Sequence, residues 1–112
     1  MSASGFVSKT VDVDKRTFLV QMLKFDNGNF VSVTEGSKKI GAMVASIGTG
    51  PAPTTATIIP SRTESLFLKL TAERLSTITK GISIVTIAVS KELDSNSAKT
   101  LVGEIMELAK ND

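Results

Sequence analysis

The sequence predicts an α+β domain in which a mostly antiparallel sheet of about six strands carries two helices. Three observations lead to this prediction. Strand-like segments fill the first half of the chain, and helical periodicity appears only near residue 64 and again near residue 95. A segment rich in β-branched residues lies between those two helical regions. The predicted order is a four-stranded β-meander followed by a β-α-β-α succession.

The length and composition indicate one domain over residues 1–112. A chain of 112 residues with 41% apolar side chains can bury a single core. The ends, residues 1–5 and 111–112, are expected to be flexible.

The meander is predicted from turn residues placed between apolar segments. Residues 6–12 alternate weakly, and residues 17–25 form a longer apolar run. The Asn27-Gly28 pair then suits a tight hairpin turn, so residues 25–30 are predicted as a hairpin. A second turn at 35–38 leads into residues 40–47, which we expect to pair with the preceding strand.

Residues 48–56, GTGPAPTTA, are predicted as one flexible loop. Two glycines and two prolines in this stretch oppose both a helix and a strand ladder. A short strand is expected at 57–59, ended by Pro60.

A first helix is predicted over residues 64–79. Ser61 or Thr63 can cap its start, and Gly81 is expected to end it, with Lys80 well placed at the C-terminus. Its apolar residues, including Leu66 and Leu70, spread over roughly 200° of the circumference, wider than in an ordinary surface helix. Either the helix is wedged between the sheet and its neighbour, or one flank contacts another molecule.

The segment ISIVTIAV at 82–89 is predicted as a central strand covered on both faces. Asp94 or Ser95 then caps a last helix that runs to about residue 110, with its apolar residues on one face.

The sheet is expected to carry apolar residues on both faces. In the second strand, Leu19 and Leu23 alternate with Phe18, Val20 and Met22. Because two helices cover only one face of such a sheet, the other face needs a sandwich or a second molecule. Homodimerisation or heterodimerisation is therefore expected.

The composition argues against catalysis and against several other functions. The chain has no His, Cys, Trp or Tyr, and its Gly48-Thr49-Gly50 lacks the rest of a phosphate-binding motif. We predict no enzymatic activity, no cofactor and no metal. A net charge of +2 without a basic stripe argues against nucleic acid. Most of the five phenylalanines are expected to be buried.

The compartment is predicted from the same features. The absence of cysteine fits a reducing environment, and no apolar run reaches the length of a membrane span. We therefore expect a cytoplasmic protein, with the nucleus as a second compartment and no membrane partner.

Two segments resemble the proteasome assembly chaperone 3 family. They are FVSVTEGSKKIGAMVASI at 30–47 and ISIVTIAVSKEL at 82–93. The order of the loop, short strand and helices is similar as well, and the related chaperone 4 has a similar layout. The resemblance implies a dimer, formed with a sister assembly chaperone or with itself. It also implies binding of alpha-type subunits of the 20S proteasome, without cofactor or covalent chemistry.

The subunit contacts are predicted by location, since binding residues concentrate on loops held by a rigid scaffold. One loop carries Lys38 and Lys39 at a supposed hairpin tip, and the other is 48–56, extended by Arg62. The predicted protein-binding residues are Lys38, Lys39, Thr49, Pro51, Pro53 and Arg62. The alternative function is a small profilin-like or light-chain-like protein-binding adaptor.

Overall fold

Eight regular elements form one six-stranded sheet with two helices packed on one of its faces. The computed structural model describes residues 5–110, so of the predicted flexible ends at 1–5 and 111–112, residues 1–4 and 111–112 lie outside them. The elements are β1 (Phe6–Val13), β2 (Arg16–Phe25), β3 (Gly28–Thr34), β4 (Ala42–Ile47), β5 (Thr54–Ile59), α1 (Ser65–Thr79), β6 (Ile82–Ala88) and α2 (Ser95–Lys110).

The strand order is β1-β2-β3-β6-β4-β5. Only the β3–β6 pair is parallel among the described strands, and the other four pairs are antiparallel. The predicted α+β class with a mostly antiparallel sheet is confirmed.

The prediction of a four-stranded meander is wrong, because β6 lies between β3 and β4. The turn at 35–38 is part of a loop that crosses the end of β6 rather than a hairpin. Along this loop the Glu35 N–H donates to the Ala88 carbonyl at 3.0 Å, and the Gly41 N–H donates to Thr86 Oγ1 at 3.2 Å. The almost wholly apolar β6 takes the predicted central position, with a strand neighbour on each side. The expectation that both of its faces are covered is wrong, because both helices lie on one side of the sheet and Ile82 on the other side is 37% exposed.

The hairpin at residues 25–30 is confirmed, with Phe25 opposite Gly28 and Leu23 opposite Phe30. Its glycine serves a purpose that the turn motif does not predict. A Cβ atom on Gly28 would lie 1.8 Å from the Ile82 carbonyl oxygen of the adjacent strand β6. The close approach of β6 therefore requires a glycine at this position.

The predicted loop 48–56 is too long and the predicted strand 57–59 too short. β5 begins at Thr54, which lies opposite Ile47, so only residues 48–53 form the loop. Antiparallel pairing with β4 satisfies the backbone of residues 54–56, and β-branched threonine suits a strand. Pro51 and Pro53 lie outside the ladder, where a residue without an N–H leaves no ladder hydrogen bond unmade.

The core lies between the sheet and the helices. α1 covers β4 and β6, whereas α2 covers β1 and β2. The side chains that meet there are fully buried: Phe18, Val20, Met22, Val31, Val44, Val85, Leu68, Leu75, Leu101 and Ile105.

Side chains and one left-handed residue define the helix ends. Ser61 Oγ accepts the Glu64 N–H at 2.8 Å just before α1, and Asp94 Oδ1 accepts the Ser97 N–H at 2.9 Å at the start of α2. Of the predicted caps, Asp94 is therefore used. The N-cap position of α1 is Glu64 rather than Ser61 or Thr63, and no side chain caps it, so the predicted cap of α1 is wrong. At the end of α1, Lys80 rather than Gly81 is left-handed, with a φ of 53°.

An ion pair joins three segments at one end of the sheet. Arg16 Nη2 and Nε donate to the two carboxylate oxygens of Glu35 at 2.7 and 3.0 Å. The same guanidinium donates to the carbonyls of Lys91 and Glu92, while Glu35 also accepts from Ser90. The start of β2, the end of β3 and the β6–α2 connection are thereby held together.

We predict that Arg16→Ala lowers the free energy of unfolding by about 2–3 kcal/mol, because it leaves a largely buried carboxylate without its partner. Chemical denaturation measures this loss. Lys9→Ala is the matched control, since it removes the exposed Lys9–Glu104 pair and should cost less than about 1 kcal/mol. Equal losses in the two variants would contradict a special role for Arg16.

The same ion pair predicts a dependence of stability on pH. Hydrogen bonding from Arg16 lowers the pKa of Glu35 from the usual 4.5 to about 2. Because the pKa is lower in the folded state, the stabilisation is complete above pH 4.5 and is lost as the pH falls towards 2. The stability difference between the wild-type protein and Glu35→Gln should therefore shrink across this range, and a constant difference would contradict the assignment.

Candidate protein-binding surfaces

One face of the sheet carries no helix and is apolar along half of its length. The strand register places Phe6, Leu23, Phe30, Ile84 and Ala45 in one row across five strands. We call this side of the sheet the open face. Its large exposed members are Phe6, Leu23, Phe25, Ile47, Ile59 and Ile82.

The open face has a depression near the start of β3. It is shallow, with a volume of about 360 Å³ and with Leu23, Phe25, Phe30, Ile82 and Ile84 in its wall. It forms because Gly28 has no side chain between Phe25 and Ile82, which are its neighbours in the register. Phe25 beside it is 61% exposed. An apolar side chain of another molecule would fit this depression.

Charge is nearly absent from the open face. In the described strands the register assigns it Asp12 as the one charged residue, at the edge strand β1. Hydroxyl and amide side chains such as Thr10, Gln21 and Ser32 occupy its other half. An extensive apolar patch with so little charge is typical of a protein contact surface.

The predicted loop residues are all exposed, but they lie at opposite ends of the sheet. Lys38 and Lys39 are on the loop that crosses the end of β6. Arg62 follows β5, whose last residue, Ile59, pairs with Met43 near the start of β4. Arg62 therefore shares its end of the sheet with the two lysines.

Thr49, Pro51 and Pro53 lie in the β4–β5 hairpin loop at the other end. There the Gly48 N–H donates to the Gly81 carbonyl at 2.8 Å. The expectation that Arg62 extends this loop is wrong, because β5 returns the chain to the opposite end of the sheet before α1 begins.

The first helix is not wedged between its neighbours. Leu66 and Leu70 are 69% and 49% exposed, and Ile78 is also exposed. Of the two interpretations of the wide apolar arc, the structure therefore supports an open flank. The sequence signal for this surface was present in the arc itself.

The apolar residues of the open face were absent from the predicted site. The sequence feature that indicated this surface is the presence of apolar residues on both faces of β2 and β6. That pattern predicted a second molecule on the sheet, but it did not identify the contact residues. The expectation that most phenylalanines are buried is also wrong. Only Phe18 and Phe67 are buried, while Phe6 and Phe25 are exposed on the open face.

The described residues offer no arrangement for metal chemistry. Among residues 5–110, no three acidic side chains come together as a metal site would require. Neither α1 nor α2 is long and apolar enough to cross a membrane. What the described surface provides is apolar area, loops and exposed cations, which are features typical of protein contact surfaces.

Comparison with known proteins identifies the fold. No protein-family model matches the chain, and no curated protein matches it in sequence. A chain in the crystal structure of a novel chaperone complex for yeast 20S proteasome assembly aligns with a TM-score of 0.60. The alignment covers 94% of this chain and 88% of that one, at 15% identity. The two chains therefore share a fold across nearly their full lengths.

Proposed function

We propose that the protein is a non-enzymatic chaperone of 20S proteasome assembly. The observation that carries this proposal is the shared fold over 94% of the chain with a component of the yeast assembly chaperone complex. The resemblance of residues 30–47 and 82–93 to the chaperone 3 family supports it independently of the fold. We propose the cytoplasm as its compartment, with the nucleus as a second one.

The proposed chaperone acts as a dimer through the open face. Six strands about 4.8 Å apart and about 20 Å long give this face an area on the order of 600 Å². A stable interface needs about 600–1,000 Å² from each partner. The occupant is a second chain of the same fold, either a sister assembly chaperone or another copy, because a sheet packs on a sheet of similar twist.

The proposed client is an alpha-type subunit, bound by the loops at the two ends of the sheet. Lys38, Lys39 and Arg62 form no ion pair or hydrogen bond with the residues at 5–110 and so are available to a partner. Exposed cations of this kind mainly steer encounter and set orientation. The two ends are separate contact regions, so each can be tested alone.

The alternative is a profilin-like or light-chain-like adaptor for proline-rich peptides. Exposed aromatic rings are what such sites use, and Phe6 and Phe25 are exposed on the open face. Titration with a proline-rich peptide distinguishes the two functions, since a chaperone dimer would cover both rings.

We predict that Leu23→Asp dissociates the dimer without unfolding the chain. Leu23 is exposed in the single chain, whereas at the dimer contact its replacement would bury an unpaired charge. Sedimentation at micromolar concentration, alone and with a chaperone 4-type partner, measures the effect. Leu66→Asp is the matched control, because it makes the same change on the helical side and should leave the dimer intact. A wild-type protein that is monomeric under both conditions would argue strongly against the dimer.

We predict that Lys38→Glu, Lys39→Glu and Arg62→Glu together weaken capture of an alpha-type subunit. The loss should diminish at high salt, since exposed charges are screened within about 8–10 Å at physiological ionic strength. A Lys69→Glu/Lys99→Glu/Lys110→Glu variant, which makes the same change in net charge at exposed residues of the two helices, is the control. Deletion of residues 50–52 tests the other loop and leaves β5 intact. If both loop variants capture the subunit as the wild-type protein does, the loops are not the contact.

A further inference from the structure

A channel separates α1 and α2 on the side of the helices that faces away from the sheet. We call it the helix groove. It has a volume of about 830 Å³, and its apolar wall includes Leu66, Leu70, Val102 and Met106. The helices run side by side from a common start, where Glu64 Oε2 accepts the Leu93 N–H at 3.1 Å. Within the described chain, the exposed sides of Leu66 and Leu70 remain uncovered.

Neither the packing nor the backbone conformation of the described chain requires a glycine at Gly103, which lies in the α2 wall of the groove. It lies in the middle of the helix, and a Cβ atom there would meet nothing within 4 Å. Its φ is also not in the left-handed region. Glycine weakens a helix interior relative to alanine. Its advantage here is that the backbone of another element can approach closely.

The unsatisfied charge around the groove is mainly positive. Arg74, Lys99 and Lys110 line it, and none of them has an ion pair or hydrogen bond among residues 5–110. The acidic groups at the start of the groove already have hydrogen-bond partners within the chain. Glu64 is only 5% exposed and hydrogen-bonded, and Asp94 caps α2.

Glu107 is the one lining carboxylate without such a partner in the described chain. Three available cations against one available anion favour an acidic ligand.

The shape of the groove favours a helix over an extended segment. Both walls are helices whose backbone groups are bonded internally, so a strand laid between them would leave its own N–H groups unpaired. A helix satisfies its own backbone. Walls of 15 and 16 residues correspond to about 23 Å of helix at about 1.5 Å per residue.

We propose that the helix groove binds an acidic amphipathic helix of a partner protein. The apolar side of that helix packs on Leu66, Leu70 and Val102, and its backbone comes close to Gly103. Its carboxylates face Arg74 and Lys99. This surface is distinct from the open face and from the two loops, so the proposal stands whether or not the dimer or the alpha subunit is confirmed.

Three synthetic peptides of about 16 residues test the proposal on the full chain. Two share a leucine face and differ in having glutamate or lysine at the polar positions, and the third is the glutamate peptide with its leucines scrambled. Fluorescence anisotropy should show binding of the acidic peptide and at least about tenfold weaker binding of the other two. Amide shifts in NMR spectra should map to α1 and α2, including Gly103. No binding by the acidic peptide, equal binding by the basic one, or shifts confined to the open face would overturn the proposal.

Gly103→Ala separates a binding role from a structural one. The added methyl group is free of internal contacts and improves the helix, so the melting temperature should rise by a few degrees. Affinity for the acidic peptide should nevertheless fall about tenfold, since the approaching backbone is displaced. Leu70→Gln should also weaken binding, whereas Leu23→Gln on the open face should not. Unchanged affinity in both Gly103→Ala and Leu70→Gln would refute the groove as the site.

Discussion

The parallel pairing of β3 with β6 is the interaction on which the rest of the fold depends. It joins the β1–β2–β3 meander to β6, which on its other side pairs with β4 of the β4–β5 hairpin. Among the described strands, the meander and the hairpin have no direct pairing. Further hydrogen bonds hold the β3–β6 pair together at both of its ends. At one end the Ile82 N–H donates to the Asn27 carbonyl at 2.8 Å, where Gly28 leaves room for the strand. At the other end Glu35 bonds to Ala88 through its backbone and to Arg16 through its side chain. A sheet built from two local units becomes a single sheet because one distant strand fits between them.

The position of β6 also decides how the surfaces are distributed. A parallel neighbour requires a crossover, and α1 supplies it on the same face that α2 covers. Both helices therefore pack on one side of the sheet, and β6 buries Val85 and Ile87 there while Ile82 and Ile84 face the other side. The α1–sheet contact is partly polar. Ser76 Oγ donates to Ser46 Oγ at 3.1 Å, and Thr55 Oγ1 donates to Glu73 at 2.7 Å. These hydroxyl contacts hold α1 over β4 and β5 and leave its outer leucines unused in the core.

The result is a protein whose distinctive chemistry lies in its surfaces. The open face, the helix groove and the two loop ends point in different directions, which suits a component that contacts several chains of an assembly. We propose such a role for this chain, which shares its fold with a component of the yeast chaperone complex. Buried polar groups serve the fold, as in the Asn29–Ser83 hydrogen bond of 2.7 Å between β3 and β6. The large apolar side chains that remain exposed, in contrast, are not packed in the core of the described chain.

Much of the fold was predictable from neighbouring residues. The α+β class, the hairpin at 25–30, the Asp94 cap and the apolar segment at 82–89 follow from periodicity and turn chemistry, which act over a few residues. The presence of only two helical segments also predicted correctly that one sheet face lacks a helix. Other features depended on tertiary structure alone. Three features depend on which strands pair across long separations: the insertion of β6 between β3 and β4, the placement of Arg62 at the same end of the sheet as Lys38 and Lys39, and the open flank of α1. Several strands that are distant in the sequence have similar apolar patterns and could pair with one another. Which of them pair depends on how the complete sheet packs against its core. The spacing of apolar and polar residues within one segment does not determine which distant strand it pairs with.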